Sequence, residues 1–183
     1  MKRKEFLKKM LGMGLASGSM LLLERRKTMA QSGDKKSDAK AKDKSQRFKE
    51  AWIITLLINM DEQFDEKTRA KMMESCGRDC ARRDSIQMAE SSKGDVGKLV
   101  RSLAKFLGDK NCYLEDDIVH LEYGKCYCEL VAEGPERLSD TYCFCSRGWV
   151  LEMFETAAQK PVKVELLQSI KRGASSCKFL IKV

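Results

Sequence analysis

The stretch that decides the fold runs from Ser146 to Val183 and reads SRGWVLEMFETAAQKPVKVELLQSIKRGASSCKFLIKV. Its first part has large apolar residues at helical spacing, which predicts a helix over Ser146–Gln159. Beyond Pro161, two short runs rich in β-branched and other apolar residues predict strands over Val162–Ile170 and Cys177–Val183. The end of the chain is therefore predicted to be helix–strand–strand.

The same patterns extend toward the N-terminus. Ile118–Tyr123 and Lys125–Val131 have the composition of strands and flank Gly124. Further upstream, apolar residues recur at spacings of three and four, which predicts three amphipathic helices. The stripe of the first helix consists of Phe48, Trp52, Ile53, Leu56, Leu57 and Met60. We therefore predict an α+β fold with three N-terminal helices and then a β-β-α-β-β antiparallel sheet unit covered by helices.

The net charge of +8 lies outside the predicted core. Residues 1–46 hold 13 of the 35 basic and 5 of the 27 acidic residues, so residues 47–183 are balanced at 22 each. A nucleic-acid-binding module normally concentrates basic residues on its folded part, because neutralising phosphates supplies most of its affinity. This balance argues against a nucleic-acid partner for a single Cys-rich domain over residues 47–183.

The N-terminus has the organisation of an export signal. A basic segment precedes fourteen weakly apolar residues, MLGMGLASGSMLLL, and small residues follow near Ala30. Fourteen residues are too few to cross a bilayer as a helix. Arg3–Lys8, RKEFLK, resembles the twin-arginine translocation motif, with Lys4 in place of the second arginine. We predict a signal over residues 1–30, a polar linker over 31–46, an exported protein, and no stable membrane span after removal of the signal.

Eight cysteines are the main chemical feature. Cys126 and Cys128 would point to one side of a strand, and Cys143 and Cys145 would do the same if their segment were extended. Four sulfurs from two such pairs, with Cys177 near them, have the chemistry of a tetrahedral zinc site. Disulfides explain an even cysteine count in an exported protein equally well, and buried free thiols are the third alternative.

Two other features concern catalysis. Cys76 and Cys80 are four residues apart near Arg78, Arg82 and Arg83, which would favour thiolates on an open helix face, whereas a buried face would make them packing residues. His120, the only histidine, shares the polar side of its strand with Ile118 and Glu122 and is more simply a solvated side chain. A single histidine gives little support for acid–base chemistry, and the sequence contains no familiar catalytic set.

The C-terminal third resembles the 4-vinyl reductase-like domain of small-molecule sensors and the related TRAPP-subunit-like fold. Gly148-Trp149, Glu165, Gly173, and Cys177 with Phe179 carry this resemblance. It implies a structural zinc held by Cys126 or Cys128, by Cys143 or Cys145, and by Cys177. The cysteine that the family pattern has after Glu165 is missing, since Gln168 and Ser169 occupy that part of the chain.

Two further resemblances bear on function. The segments ESCGRDCA, KCYC and YCFCSRGW are similar to an uncharacterised bacterial Cys-rich exported family, and the closing Gly-turn and Cys-x-Phe strand are weakly similar to thiazoline-carboxylate hydrolases. We therefore expect an exported domain that binds a small apolar or aromatic ligand beside a zinc held by Cys126, Cys128, Cys143, Cys145 and Cys177. A homodimer is left open. The alternatives are a thiol-dependent hydrolase or redox enzyme and a disulfide-stapled structural domain.

Overall fold

The computed structural model describes residues 44–128, 130 and 138–183. The predicted export signal and residues 31–43 of the predicted linker lie outside these residues, whereas residues 44–46 already belong to a helix. No helix in this described part is long and apolar enough to cross a bilayer. This part contains five α-helices, α1 (44–63), α2 (Glu66–Asp84), α3 (Ile86–Glu90), α4 (Val96–Leu107) and α5 (Asp140–Ala158). It also contains four strands, β1 (Cys112–Glu115), β2 (Ile118–Tyr123), β3 (Lys163–Gln168) and β4 (Cys177–Lys182).

The four strands form one antiparallel sheet in the order β1-β2-β4-β3. Because α5 lies in the chain between β2 and β3, the sequential order is β-β-α-β-β. The predicted α+β fold is confirmed, and β2, β3 and β4 occupy three of the four predicted strand segments to within a few residues at their ends.

The strand predicted over Lys125–Val131 is wrong. Residues 125–128 have no regular secondary structure, and the neighbour of β2 is β1, which precedes it in the chain. The acidic residues between the two strands make this tight hairpin, in which Asp116 adopts a left-handed backbone conformation with φ of 51°. Aspartate tolerates this region better than most residues do, which suits it to a short hairpin turn.

The main core lies between one face of the sheet and helices α4 and α5. On this inner face Leu121 and Phe179 are paired across β2 and β4, and Val119 is paired with Ile181. Helix α5 contributes Val150, Met153, Phe154 and Ala157, all fully buried. Together with side chains of α4, these residues form one continuous apolar cluster. This face of the sheet is filled by protein side chains.

Helix α5 begins six residues earlier than predicted. Ser139 caps it by accepting a hydrogen bond from the Thr141 backbone N–H, so the segment Asp140–Cys145 is helical and not extended. Buried residues occur on several sides of the helix, because it lies between α2 and the sheet. A helix buried on both sides has no single apolar stripe, which is why its first turns did not show helical periodicity.

Helix α1 buries only part of its predicted apolar stripe. Leu57 and Met60 pack in a second, smaller cluster with side chains of α2 and α5, whereas Phe48 and Trp52 are 71% and 59% exposed. The C-terminal end of α1 is held by Asp61, which accepts a hydrogen bond from the Thr141 hydroxyl at 2.7 Å and pairs with Arg69. The large aromatic residues of α1 therefore lie on its outer side.

Candidate metal centre

Helices α2 and α5 touch backbone to backbone at two glycines. A Cβ atom on Gly77 would lie 1.9 Å from the carbonyl oxygen of Cys145, and one on Gly148 would lie 2.1 Å from the carbonyl oxygen of Glu74. Since real Cβ atoms do not approach backbone this closely, only glycine is compatible with the crossing at both positions. The crossing places Cys145 beside the turns of α2 that carry Cys76 and Cys80.

Ion pairs flank the crossing. Glu152 of α5 accepts hydrogen bonds from Arg82 at 2.7 Å and from Arg78 at 3.0 Å, and Arg78 also donates to Glu155. Burial opposes the charge of Glu152, but the hydrogen bonds from Arg82 and Arg78 outweigh it, so the pKa of Glu152 is lowered. Both guanidinium groups are thus already engaged by carboxylates, which weakens the case that they activate a nearby thiol.

Four thiols gather at this crossing, and we call Cys76, Cys80, Cys128 and Cys145 the thiol quartet. Cys76 and Cys80 are exposed and lie one turn apart on α2. Burial raises the pKa of Cys145 to about 12, and the thiols of Cys128, Cys80, Cys76 and Cys126 add to this increase. Burial, Asp84 and Cys128 raise the pKa of Cys80, against the opposing effect of Arg83. Together with the contact between Gly77 and the Cys145 backbone, these effects place Cys76, Cys80 and Cys128 around Cys145.

Cys128 reaches the quartet from the irregular segment that follows β2. It packs against the smaller apolar cluster together with Cys126 and Cys145. The buried Tyr142 lies beside it, and the pKa of the Tyr142 hydroxyl is raised by burial first and then by the nearby Cys128 thiol. Cys128 is therefore held by apolar packing, with a tyrosine of α5 next to it.

Three other thiols, Cys126, Cys143 and Cys177, line a cavity of about 10 Å³, and we call them the thiol trio. The Cys143 sulfur lies 2.8 Å from the Ser169 hydroxyl, and the Cys177 sulfur accepts a hydrogen bond from the Ile170 backbone N–H at 3.4 Å. Burial raises the pKa values of both Cys143 and Cys177. A cavity of this volume holds about one water molecule.

In each CxC pair, the two cysteines lie in different groups of thiols. Residues two apart on an α-helix are separated by about 200° around its axis, so Cys143 and Cys145 point to different sides of α5. Cys143 joins the trio and Cys145 joins the quartet. In the other pair, Cys126 lines the cavity of the trio and also adds to the raised pKa of Cys145, whereas Cys128 belongs to the quartet alone. The predicted extended backbone is wrong for Cys143–Cys145, which is helical, and the strand predicted through Cys126 and Cys128 is absent from residues 125–128.

Sequence reasoning missed Cys76 and Cys80 as members of the cluster. It noted that they share a helix face but treated them as packing residues or nucleophiles. The signal that links them to Cys145 is glycine, because Gly77 follows Cys76 directly and Gly148 lies three residues after Cys145. Two small residues in separate helices allow a close helix crossing, although one sequence does not reveal that they meet.

Four thiol sulfurs are suitable ligands for a soft metal ion. In this structure, however, they are not arranged around a common point. Among residues 44–128, 130 and 138–183, no three His, Cys, Asp or Glu side chains are arranged to hold a metal ion, and all eight cysteines are free. Thiolates bind zinc at about 2.3 Å, so the thiols would have to turn toward one another. Cys76 and Cys80 are exposed on a helix surface, which leaves their side chains room for this rotation.

The remaining cysteine and the histidine lie elsewhere. Cys112 is buried on the inner face of β1, and burial raises its pKa to about 11. His120 belongs to the outer face of the sheet, where its ring stacks on Tyr113 with centroids 4.6 Å apart. Because Cys177 points to the inner face, the sheet separates it from His120. The histidine is therefore not placed to act as a base for the trio.

An open groove runs along α4 and β1. Its volume is about 510 Å³, and both apolar and charged side chains line it, among them Val100, Arg101, Lys105, Tyr113 and Leu114. The inner face of the sheet is filled by the main core. The predicted small apolar or aromatic ligand remains a prediction without a defined site.

Comparison with known proteins gives one family match. A family model described as "Family of unknown function (DUF6144)" matches residues 25–183 of the chain. The search of curated proteins finds no match. The match assigns no ligand, metal or reaction, and the resemblances to 4-vinyl reductase-like domains and to thiazoline-carboxylate hydrolases remain hypotheses from the sequence.

Proposed function

The chain belongs to DUF6144, a family of unknown function, and we propose that it is a non-catalytic domain in which the thiol quartet binds a soft metal ion, zinc in the first place. The observation that carries this proposal is the helix crossing at Gly77 and Gly148, which collects thiols of α2, α5 and the segment after β2. Four sulfurs are the full ligand set of a structural zinc site. The bound ion would brace α2, α5 and that segment together.

The raised pKa values of Cys80 and Cys145 argue against a nucleophilic role for these two thiols. Thiols with raised pKa values are protonated at neutral pH and react slowly. A coordinated divalent cation reverses this, because it deprotonates its thiol ligands outright. For each thiol that releases a proton when the metal binds, the metal affinity rises about tenfold for each unit of increase in pH. Cys80 and Cys145 are thus poor nucleophiles without an ion, and binding of an ion by the quartet should strengthen as the pH rises.

The rival functions are less well supported. A thiol-dependent enzyme needs an activated cysteine, yet the pKa of Cys80 is raised and the arginines beside it are paired with Glu152 and Glu155. Disulfides would join thiols of the quartet two at a time, whereas a single ion engages all four. The predicted export and small-molecule ligand are independent of this site and stay predictions.

The metal content of purified protein tests the proposal. We expect about one zinc ion per chain when the protein is prepared under reducing conditions, since a Cys₄ site binds one ion. Cys80→Ser and Cys145→Ser should each lower the content well below one, because three thiols hold zinc less tightly than four. Elemental analysis with a protein assay measures the ratio.

Cys143→Ser is the matched control, since Cys143 lies on the same helix as Cys145 but belongs to the trio. It should retain the metal. If Cys143→Ser loses the ion while Cys80→Ser keeps it, the trio and not the quartet is the site. Metal-free wild-type protein, prepared without chelator, would contradict the proposal altogether. Circular dichroism of each variant excludes unfolding as the cause of a loss.

A further inference from the structure

The outer side of α1 carries an exposed surface with two aromatic residues. Phe48, Trp52 and Ile58 are 71%, 59% and 51% exposed, and the smaller Ala51 and Thr55 lie exposed between them. The opposite side of the helix carries Leu57 and Met60, which are buried in the smaller apolar cluster. The helix is therefore anchored on one side and apolar on the other, and apolar surface of this kind marks an interaction site.

The residues on this outer side follow a heptad pattern. Lys44, Phe48, Ala51, Thr55, Ile58 and Glu62 are separated by alternating steps of four and three, all six are exposed, and we call them the α1 seam. Such alternation keeps residues on one line along a helix, which is the line along which paired helices touch. Trp52 lies directly beside the seam, so it would enlarge the contact.

The charges at the two ends of the seam identify the partner. Lys44 stands at the N-terminal end and Glu62 at the C-terminal end, with no charged residue of the seam between them. A second copy running antiparallel would place Lys44 opposite Glu62 at both ends of the contact. The same register sets Phe48 opposite Ile58 and Ala51 opposite Thr55, so the large residues flank a centre of small ones. Small central residues allow a close approach of the two helices.

We propose that α1 forms the interface of an antiparallel homodimer, with the α1 seam of one copy packed on the seam of the other. Such an interface is isologous, because the same surface of each copy meets itself around a two-fold axis. The midpoint of the register falls beside Trp52, which brings the two tryptophans near the axis. This proposal does not depend on metal binding.

Sedimentation equilibrium of the full chain over a concentration series in the presence of reductant tests the interface. We expect a monomer–dimer equilibrium that Trp52→Glu weakens at least about thirty-fold, since central tryptophans at interfaces commonly act as hot spots. Thr55→Arg at the centre of the seam should have an effect in the same direction. Phe106→Glu, at a 75% exposed site on α4, is the matched control and should leave the equilibrium unchanged.

A charge exchange tests the antiparallel register. Glu62→Lys alone should weaken the dimer about three- to tenfold, because lysines would then face each other at both ends. The double variant Lys44→Glu with Glu62→Lys should restore wild-type affinity. A wild type that stays monomeric at every concentration, or a dimer unaffected by both Trp52→Glu and Thr55→Arg, would overturn the interface. Failure of the double variant to restore the dimer would overturn the antiparallel arrangement.

Discussion

Alanine at either crossing glycine should destabilise the protein by about 3 kcal/mol or more, near the upper end of the range for overpacked sites. A methyl group on Gly77 would overlap the Cys145 carbonyl, and one on Gly148 would overlap the backbone of Glu74. Backbone atoms cannot turn aside as the end of a side chain can, so α2 and α5 would have to separate. Urea unfolding of Gly77→Ala and Gly148→Ala, compared with wild type, measures the loss.

Gly97→Ala is the matched control, because Gly97 is also a helical glycine. A Cβ there would meet only side-chain atoms, those of Arg101 at 3.1 Å and Asp95 at 3.2 Å. Alanine is favoured over glycine in a helix by about 1 kcal/mol, so this variant should be as stable as wild type or more stable. Equal stability of all three variants would show that the close crossing does not exist in solution.

Removal of the metal should have the second large effect. If free zinc exceeds its dissociation constant about a thousandfold, binding stabilises the folded chain by about 4 kcal/mol. For a protein of this size, each kcal/mol corresponds to about 2–4 °C in the melting temperature. Excess chelator should therefore lower the melting temperature by about 8–16 °C, and added zinc should restore it.

The double variant Cys80→Ser with Cys145→Ser provides the control for this experiment. Without the quartet it should melt at one temperature whether chelator or zinc is present. A chelator effect of equal size in this variant would place the stabilising ion elsewhere in the protein. The absence of any chelator effect in metal-loaded wild type would mean that the ion does not brace the helices.

The sheet was largely predictable, because strand signals depend on short local patterns. β-branched and apolar runs between Gly and Pro residues located β2, β3 and β4. β1 was missed since its four residues, Cys112–Glu115, include three that are exposed and give no alternating pattern. The segment Lys125–Val131 had a better strand composition, but the hairpin at Asp116 brings β1 to β2 first and so determines the pairing.

The division of the thiols could not be read from their spacing. The interpretation of both CxC pairs required extended backbone, and a change from strand to helix at Cys143–Cys145 reverses which sulfurs are neighbours. Close packing of α2 on α5 depends on Gly77 facing the backbone of Cys145 and on Gly148 facing that of Glu74, and nothing local in the sequence specifies these contacts. Local patterns therefore pointed to the cysteines as candidate ligands, whereas their grouping required the tertiary fold.

The exposure of Phe48 and Trp52 on α1 could not be read from local sequence patterns either. The stripe from Phe48 to Met60 predicted one buried side, but the apolar residues occur around much of the helix, and this prediction is wrong for Phe48 and Trp52. The structure buries the side that contains Leu57 and Met60 and leaves Phe48 and Trp52 outside. An apolar residue on an amphipathic stripe is thus a candidate for either a core or an interface.

Alkylation of the thiols with and without chelator, located by peptide mass spectrometry, tests the central claim most directly. Cys76 and Cys80 are exposed, so at alkaline pH, where Cys80 also loses its proton despite its raised pKa, both should be alkylated when no ion is bound. We predict that both are protected in reduced, metal-loaded protein and become reactive after chelation, while Cys112, buried in the core, stays unreactive throughout. Rapid alkylation of Cys76 and Cys80 in metal-loaded protein, with no change on adding chelator, would contradict metal binding by the quartet.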